Sequence, residues 1–402
     1  MSLLPASSWN RKVVAEPKSS QCGLCGLSKG CFSPKMKPSG KGKRKILFVG
    51  EAPGEQEDRQ GTQFVGKAGQ LLRGFLEDIG VDLDDCWITN AVTCRPPENK
   101  IDPKYIKACR PALLQAIQEL QPEVIIPLGK SAVESLITPL WKKGVDSISK
   151  WVGWTIPCHE YNAWVCPVFH PSYVLRSDGD QLLELIFKEQ LLRAVSLHME
   201  GIPRTAPTLA DLQSEVEIIT QEGQAKKRLR ELLKCEGQLA WDYETTGLKP
   251  ERVEQRIVSV SFCLDGEDTF AIPFTKGVRR LVSKILRKPK LLKIASNLKF
   301  EERWTRAKLG HGVVGWHWDT MLAAHCIDNR SGITSIKFQA FVYLGISDYS
   351  SHVLSYLKGE GERGANNLNR INDINQEDLL LYNGLDSLLE YHVAQRQMEA
   401  LR

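Results

Sequence analysis

The stretch HMEGIPRTAPT, residues 198–208, carries two prolines and a glycine and separates two different hydrophobic patterns. Before it, short apolar runs at 46–49, 87–92, 123–128 and 164–169 read as buried strands. Helical patterns lie between them. The clearest is Ala68, Leu71, Leu72, Phe75, Leu76 and Ile79, one apolar face at a period near 3.6. Another helical pattern covers 181–197. Strands alternating with helices imply an α/β fold with a parallel sheet covered on both faces. After the linker the pattern changes. Residues 208–235 read as a mixed entry strand and a basic helix. Residues 239–244, 257–264 and 269–274 read as three consecutive strands with no room for helices, an antiparallel meander. Helical segments fill most of the rest, so the second half is a mixed sheet with helices packed on it. A chain of 402 residues fits two such domains. The expected boundaries are a basic arm at 1–17, a first domain at 18–197, a linker at 198–207 and a second domain at 208–402.

Composition narrows the setting. Hydrophobic residues make up 42% and charged residues 25%, an ordinary globular balance that excludes disorder as the main organisation. No apolar run approaches the ~18 residues needed to cross a bilayer. The opening MSLLPASSWNRKVV lacks the apolar stretch of a secretory signal. The expectation is an intracellular, cytoplasmic chain with no membrane partner. The net charge of +5 is unevenly placed: residues 1–50 hold ten Lys or Arg against one acid, Glu16. The densest stretch is Lys41-Gly42-Lys43-Arg44-Lys45. Such an arm suits a polyanion through counterion release, and it equally suits a solvated tail; charge alone does not separate the two.

Eleven cysteines in a chain without a secretory signal argue against a disulfide scaffold, and six of them crowd into residues 22–109. Cys22-x2-Cys25 and the pair Cys94 and Cys109 could together hold a structural zinc or an iron–sulfur cluster, and spacing does not choose between them. Cys31, Cys86, Cys158 and Cys166 read as ordinary buried cysteines. Three polar segments lie just past expected strand ends: Gly50–Asp58, Asn90, and His170-Pro171-Ser172. In open α/β sheets the ligand crevice lies there.

The segments GEAPGEQED, QFVGKAGQLL, ITNAVTCRPPEN and HPSYVLR resemble, in order and spacing, the motifs of family 4 uracil-DNA glycosylases. The resemblance covers about residues 18–197. It implies a uracil-DNA glycosylase-like parallel sheet flanked by helices, and a [4Fe–4S] cluster on Cys22, Cys25, Cys94 and Cys109. Uracil in a duplex must be extruded before its glycosidic bond is reachable. Phe64 is then suited to stack on the base, Asn90 to pair with its edge, and His170 to donate to the anion growing on O2. The resemblance also implies Ala52 in the base pocket and Glu51 and Glu57 as the acids to test for positioning water and balancing the sugar cation, without choosing which of the two aligns the water. Two features depart from the family pattern. Glu98 stands where a glycine is usual after CRPP, and the span from Cys25 to the first strand is longer and more basic.

In the second half, Asp242 and Glu244 lie two apart on an expected strand, hence on one face. Ser296–Glu301 opens a helical pattern after a short strand. Tyr382 and Asp386 have i, i+4 spacing on one helix face. Several carboxylates suit two hard divalent cations, Mg²⁺ or Mn²⁺, which hydrolyse phosphodiesters as a pair. In this order the motifs DxE, NxxxE and YxxxD resemble the 3′–5′ exonuclease domain of family A DNA polymerases, tyrosine subtype, which has a ribonuclease H-like fold. The resemblance covers about 208–402. It implies Asp242, Glu244, Glu301 and Asp386 as cation ligands and Tyr382 as the group that orients water. Asp319, in Trp318–Leu322, reads as structural. One position departs: the second motif normally ends in Asp, and here it is Glu301.

The combined expectation is a bifunctional DNA enzyme, removing uracil and shortening 3′ ends, with DNA as partner. The glycosylase–exonuclease order also resembles the front part of certain phage polymerases. The alternative is therefore a non-catalytic uracil reader with a proofreading module, part of a split or truncated polymerase, acting with a separate polymerase subunit.

Overall fold

The computed structural model describes residues 21–177, 179–199, 207–359 and 367–402. The expected arm at 1–17 and linker residues 200–206 lie outside them. The chain divides into two compact units at residue 206.

The first unit runs α1 (Cys22–Cys25), β1 (Ile46–Gly50), α2 (Glu55–Gln60), α3 (Lys67–Asp78), β2 (Trp87–Asn90), α4 (Pro103–Leu120), β3 (Val124–Pro127), α5 (Lys130–Ile137), β4 (Ile156–Cys158), β5 (Ala163–Val165), α6 (Pro171–Arg176) and α7 (Gln181–Ser196). Its sheet has the order β2-β1-β3-β5-β4. All neighbours are parallel except the hairpin β4–β5. That hairpin is absent from the sequence reading. The three-residue β4 has Pro157 at its centre, and a proline is tolerated there because β4 is an edge strand. Every residue of β1 is buried, as expected for a strand covered on both faces. Ile46 and Phe48 pack with Leu72 and Leu76 of α3 and Phe187 and Leu191 of α7. The chain steps from β1 to β2 on one side and returns to β3 on the other, which opens a crevice at the strands' carboxyl ends.

The second unit runs α8 (Leu209–Glu215), β6 (Val216–Ile218), α9 (Glu222–Leu232), β7 (Gly237–Thr245), β8 (Ile257–Leu264), β9 (Asp268–Pro273), α10 (Arg279–Leu286), β10 (Leu291–Ala295), α11 (Leu298–Leu309), β11 (Trp316–Asp319), α12 (Thr320–Ile327), α13 (Ile336–Leu344), α14 (Ser351–Leu357) and α15 (Gln376–Ala400). The sheet order is β11-β10-β7-β8-β9-β6, with β7–β8–β9 antiparallel and the other pairs parallel. A short helix, α8, precedes the expected entry strand; Thr208 and Asp211 form a capping box that starts it. On β7 the odd residues Leu239, Trp241 and Tyr243 enter a core with α9, α10 and Trp304 of α11. The even residue Ala240 enters a separate core with α13 and α15. Period-two alternation therefore turns Asp242 and Glu244 toward α15. Ser261 and Ser259 stand opposite them on β8, and both hydroxyls bond Asn383 of α15.

One carboxylate organises two helix starts. Asp319 accepts the backbone N–H groups of Asn297 and Leu298 at 3.0 and 3.1 Å, and of Met321 and Leu322 at 2.9 and 3.2 Å. Each set satisfies donors that a helix terminus leaves free. Replacing Asp319 with Ala is expected to cost the second unit about 2–4 kcal/mol, the sum of two caps. Urea denaturation followed by tryptophan fluorescence measures it, and Asp319→Asn should lose about half as much.

Candidate active sites

In the first unit, all six non-cysteine residues expected at the site line one cavity of about 480 Å³: Glu51, Ala52, Glu57, Phe64, Asn90 and His170. Strand ends deliver them. Gly50 closes β1, Asn90 closes β2, and His170 caps α6. A side chain at Gly50 would put its Cβ 2.3 Å from Asn90 Oδ1 and 2.9 Å from Phe64 Cζ, so the glycine leaves room for both. Phe64 holds a left-handed backbone, φ +54°, an unfavourable geometry for a bulky residue. Its loop is fixed by Glu57, whose Oε1 accepts the N–H of Val65 at 3.1 Å and of Gly66 at 2.7 Å. Glu51 accepts the N–H of Ser131, in the first turn of α5, at 2.9 Å. A Cβ on Gly129 would meet both Glu51 and His170 at about 2.9 Å, so these two flank the glycine closely.

His170 Nδ1 meets two groups of Ser172, its N–H at 3.2 Å and its hydroxyl at 2.8 Å. Accepting from the amide is the arrangement that puts the proton of the neutral ring on Nε2. Burial lowers its pKa, with Glu51 opposing, so the neutral ring is the form at pH 7.

The cysteines come from three segments. Cys25, Cys31, Cys94 and Cys109 share a small apolar group with Leu27, Val92 and Ile106. Cys22 and Cys25 act electrostatically on Cys109, as do Cys31 and Cys109 on Cys94. Burial, with those neighbours adding, pushes the Cys94 thiol up to about 12. The Lys35 N–H nevertheless points at Cys94 Sγ, 3.2 Å away. Thiols crowded in apolar surroundings, one already receiving an amide, suit a bound metal or cluster that would stabilise them as thiolates. The sequence reading set Cys31 among ordinary buried cysteines; it lies instead beside Cys94, half-buried. Cys86, Cys158 and Cys166 are buried away from this group. Asp58 ties the segment to the neighbouring cavity by accepting the N–H of Phe32 and Ser33 at 3.1 and 2.9 Å. Glu98 sits at φ +53°, a conformation that glycine adopts without cost, which accounts for the glycine usual there.

In the second unit, Asp242, Glu244 and Asp386 each bring a carboxylate oxygen within 4.8 Å of the others, a spacing that could hold a metal ion. Glu301, in the first turn of α11, and Tyr382, on α15, are buried beside them. Asn383 Nδ2 donates to Asp242 Oδ2 at 2.8 Å. Asp386 receives Lys337 Nζ at 3.4 and 3.5 Å and the Tyr349 hydroxyl. Lys337 also lies over the Tyr382 ring, 5.0 Å from its centre. Burial, with mutual repulsion adding, raises the carboxyls of Asp242, Glu244 and Glu301 well above the usual range. The same two causes keep the Tyr382 phenol protonated.

Sequence reasoning missed four of these groups. Asn383 and Tyr349 had no spacing signal. Lys337 belongs to none of the three acidic motifs. Glu390, also buried with its carboxyl raised, lies one helical turn beyond Asp386.

Comparisons with known proteins divide the chain at the same place. Residues 38–194 match the uracil DNA glycosylase superfamily, and residues 216–401 match a 3′–5′ exonuclease family. The type-4 uracil-DNA glycosylase of Thermotoga maritima is 37% identical over 153 residues, 36% of this chain and 73% of that protein. That of Saccharolobus solfataricus is 40% identical over 161 residues, 39% of this chain and 73% of that protein. The DNA polymerase of Bacillus phage SP01 is 28% identical over 330 residues; the match takes in 74% of this chain and 34% of the polymerase. Among solved structures, the catalytic core of RRP6 from Trypanosoma brucei is 14% identical with a TM-score of 0.36, over 49% of each chain. No helix among the described residues is long and apolar enough to cross a membrane.

The raised carboxyls set a pH dependence. Without a cation, the folded second unit keeps protons that the unfolded chain releases near pH 4, so its stability falls as pH rises through the elevated folded values. A divalent cation binds only the ionised carboxylates. Magnesium at a fixed concentration equal to 100 times its pH 8 Kd is therefore expected to stabilise by about 2.7 kcal/mol at pH 8, roughly 5–10 °C in Tm, and by less at pH 6. Calorimetry with Mg²⁺ against EDTA measures this; equal gains at both pH values would contradict it.

Proposed function

The chain belongs to the type-4 uracil-DNA glycosylase family and continues into a 3′–5′ exonuclease domain, and on that footing we propose how its two pockets work on DNA. The first hydrolyses the N-glycosidic bond of deoxyuridine. The extruded base enters the cavity beside Phe64, whose ring stacks on it. Asn90, at the closed end of β2, offers one donor and one acceptor to uracil O4 and N3–H. Cleavage places negative charge on O2 and positive charge on the sugar. His170 donates from Nε2–H to O2 as a neutral ring; the observation that carries this is the Ser172 amide held by Nδ1. Glu51, beside His170, offers the negative charge that balances the sugar cation and aligns water. Glu57 holds the Phe64 loop through two amides, which supports a positioning role.

Cys22, Cys25, Cys94 and Cys109 are the ligands we assign to a [4Fe–4S] cluster. Its contribution when bound is to join α1, the loop after β2, and α4. The Gln21 N–H to Ala108 carbonyl bond, 3.0 Å, already draws two of these segments together.

The second pocket shortens 3′ ends. Bound there, two divalent cations, Mg²⁺ or Mn²⁺, supply Lewis acidity for phosphodiester hydrolysis. Asp242, Glu244 and Asp386 would hold one, and Asp242 with Glu301 would hold the other. Asn383 fixes the Asp242 carboxylate, while Lys337 and Tyr349 fix Asp386. The protonated Tyr382 hydroxyl orients the attacking water. Similarity to the phage polymerase supports a second reading, in which this activity serves a separate polymerase subunit.

One gel tests both pockets. A 5′-labelled oligonucleotide with a single deoxyuridine should lose uracil in EDTA and shorten from its 3′ end once Mg²⁺ is added. His170→Ala should slow uracil release roughly 10²–10³-fold, the effect of removing one oxyanion donor, and leave shortening intact. Asp242→Ala should do the reverse. Intact protein that releases no uracil, or Asp242→Ala that still shortens DNA, would overturn the respective assignment.

A further inference from the structure

Glu390 has no part in the chemistry set out above, yet it is built into the same pocket. It lies four residues beyond Asp386 on α15, on the same helix face. Only 2% of it is exposed. Its Oε1 accepts the N–H of Ser296, the residue that follows β10, at 3.2 Å. Its Oε2 has no hydrogen-bond partner among the described residues. The largest charge effects on it come from Asp242, Glu301 and Asp386, all acidic.

Glu301 is in the same condition. It is 2% exposed, and its Oε2 also lacks a partner among the described residues. A buried carboxylate oxygen without a donor is costly, and two in one pocket are costlier still. Lys337 reaches Asp386 and lowers Asp242 and Glu244, while the largest charge effects on Glu301 and Glu390 come from acids. Asp242, Glu244 and Asp386 already form a compact oxygen set. Glu301 and Glu390 stand outside that set, and Asp242 acts electrostatically on both.

We propose that Glu390 is a cation ligand, and that its free oxygen completes, with Asp242 and Glu301, the second cation position of the exonuclease pocket. The Ser296 bond gives this position a fixed frame. It anchors the start of the segment that leads into α11, and so sets Glu301 and Glu390 relative to each other. A third carboxylate also compensates for the longer, less constrained arm of Glu301. The assignment rests on the two-cation reading of this pocket.

The test is a calorimetric Mn²⁺ titration of the full chain after removal of bound divalent ions. The intact chain should show two binding events. Glu390→Gln keeps the shape and the Ser296 acceptor but removes the charge. It should weaken the second event roughly 10–100-fold and leave the first unchanged. The retained first event also reports that the pocket is folded. A Glu390→Gln isotherm that superimposes on that of the intact chain overturns the assignment, since a merely structural carboxylic acid is replaced by Gln without effect on Mn²⁺. If Gln loses both events, Glu390→Asp decides: a weakened second event with an intact first supports the assignment, and two events of unaltered strength overturn it. A single event in the intact chain overturns the two-cation reading itself, and the assignment falls with it.

Discussion

The chain buries acidic groups faster than it supplies cations to meet them. In the second unit, Asp242, Glu244, Glu301, Asp386 and Glu390 converge, with Lys337 bonded to Asp386 and acting on Asp242 and Glu244. In the first, thiols from α1, the loop after β2, and α4 crowd into an apolar group. Removing an ion from water costs several kcal/mol, and a like-charged neighbour adds to that cost. The acids of the second unit carry this cost until positive charge enters, and the thiols of the first would carry it once ionised; that is the sense in which both pockets suit metal.

The rest of the structure makes this concentration possible. Acids outside the reacting positions are spent on backbone amides. Asp319 holds four, Asp58 two and Glu57 two, while Glu51 and Glu390 each give one oxygen to an amide. Each such bond fixes a loop or a helix start that carries a reacting group. The strained Phe64 backbone is kept in place in this way, through Glu57. Parallel strands end together, so Gly50, Asn90 and the loop to His170 meet without long connections. The antiparallel meander does the corresponding work in the second unit, where β7 turns two carboxylates toward one long helix.

Much of this was legible in the sequence. Two-residue periodicity on β7 and helical spacing on α15 were enough to put Asp242 and Glu244 on one face and Tyr382 and Asp386 on another. Four ordered motifs sufficed to group Glu51, Phe64, Asn90 and His170. What escaped was of two kinds. Edge elements carry weak signals: β4 is three residues long with a central proline, and α8 is a seven-residue helix announced only by its capping box. Supporting groups carry none, because their positions depend on tertiary approach. Tyr349 reaches Asp386 from 37 residues away, and Cys31 reaches Cys94 across the fold. Glu390 is the exception. Its i+4 spacing from Asp386 was visible, but a glutamate on a helix is ordinarily a solvated one.

Metal content tests the central claim most directly. Elemental analysis of the purified full chain, equilibrated with Mn²⁺ and freed of excess, should find about four iron atoms and about two manganese atoms per chain. A stable chain that carries neither, or that holds one zinc in place of iron, would contradict it.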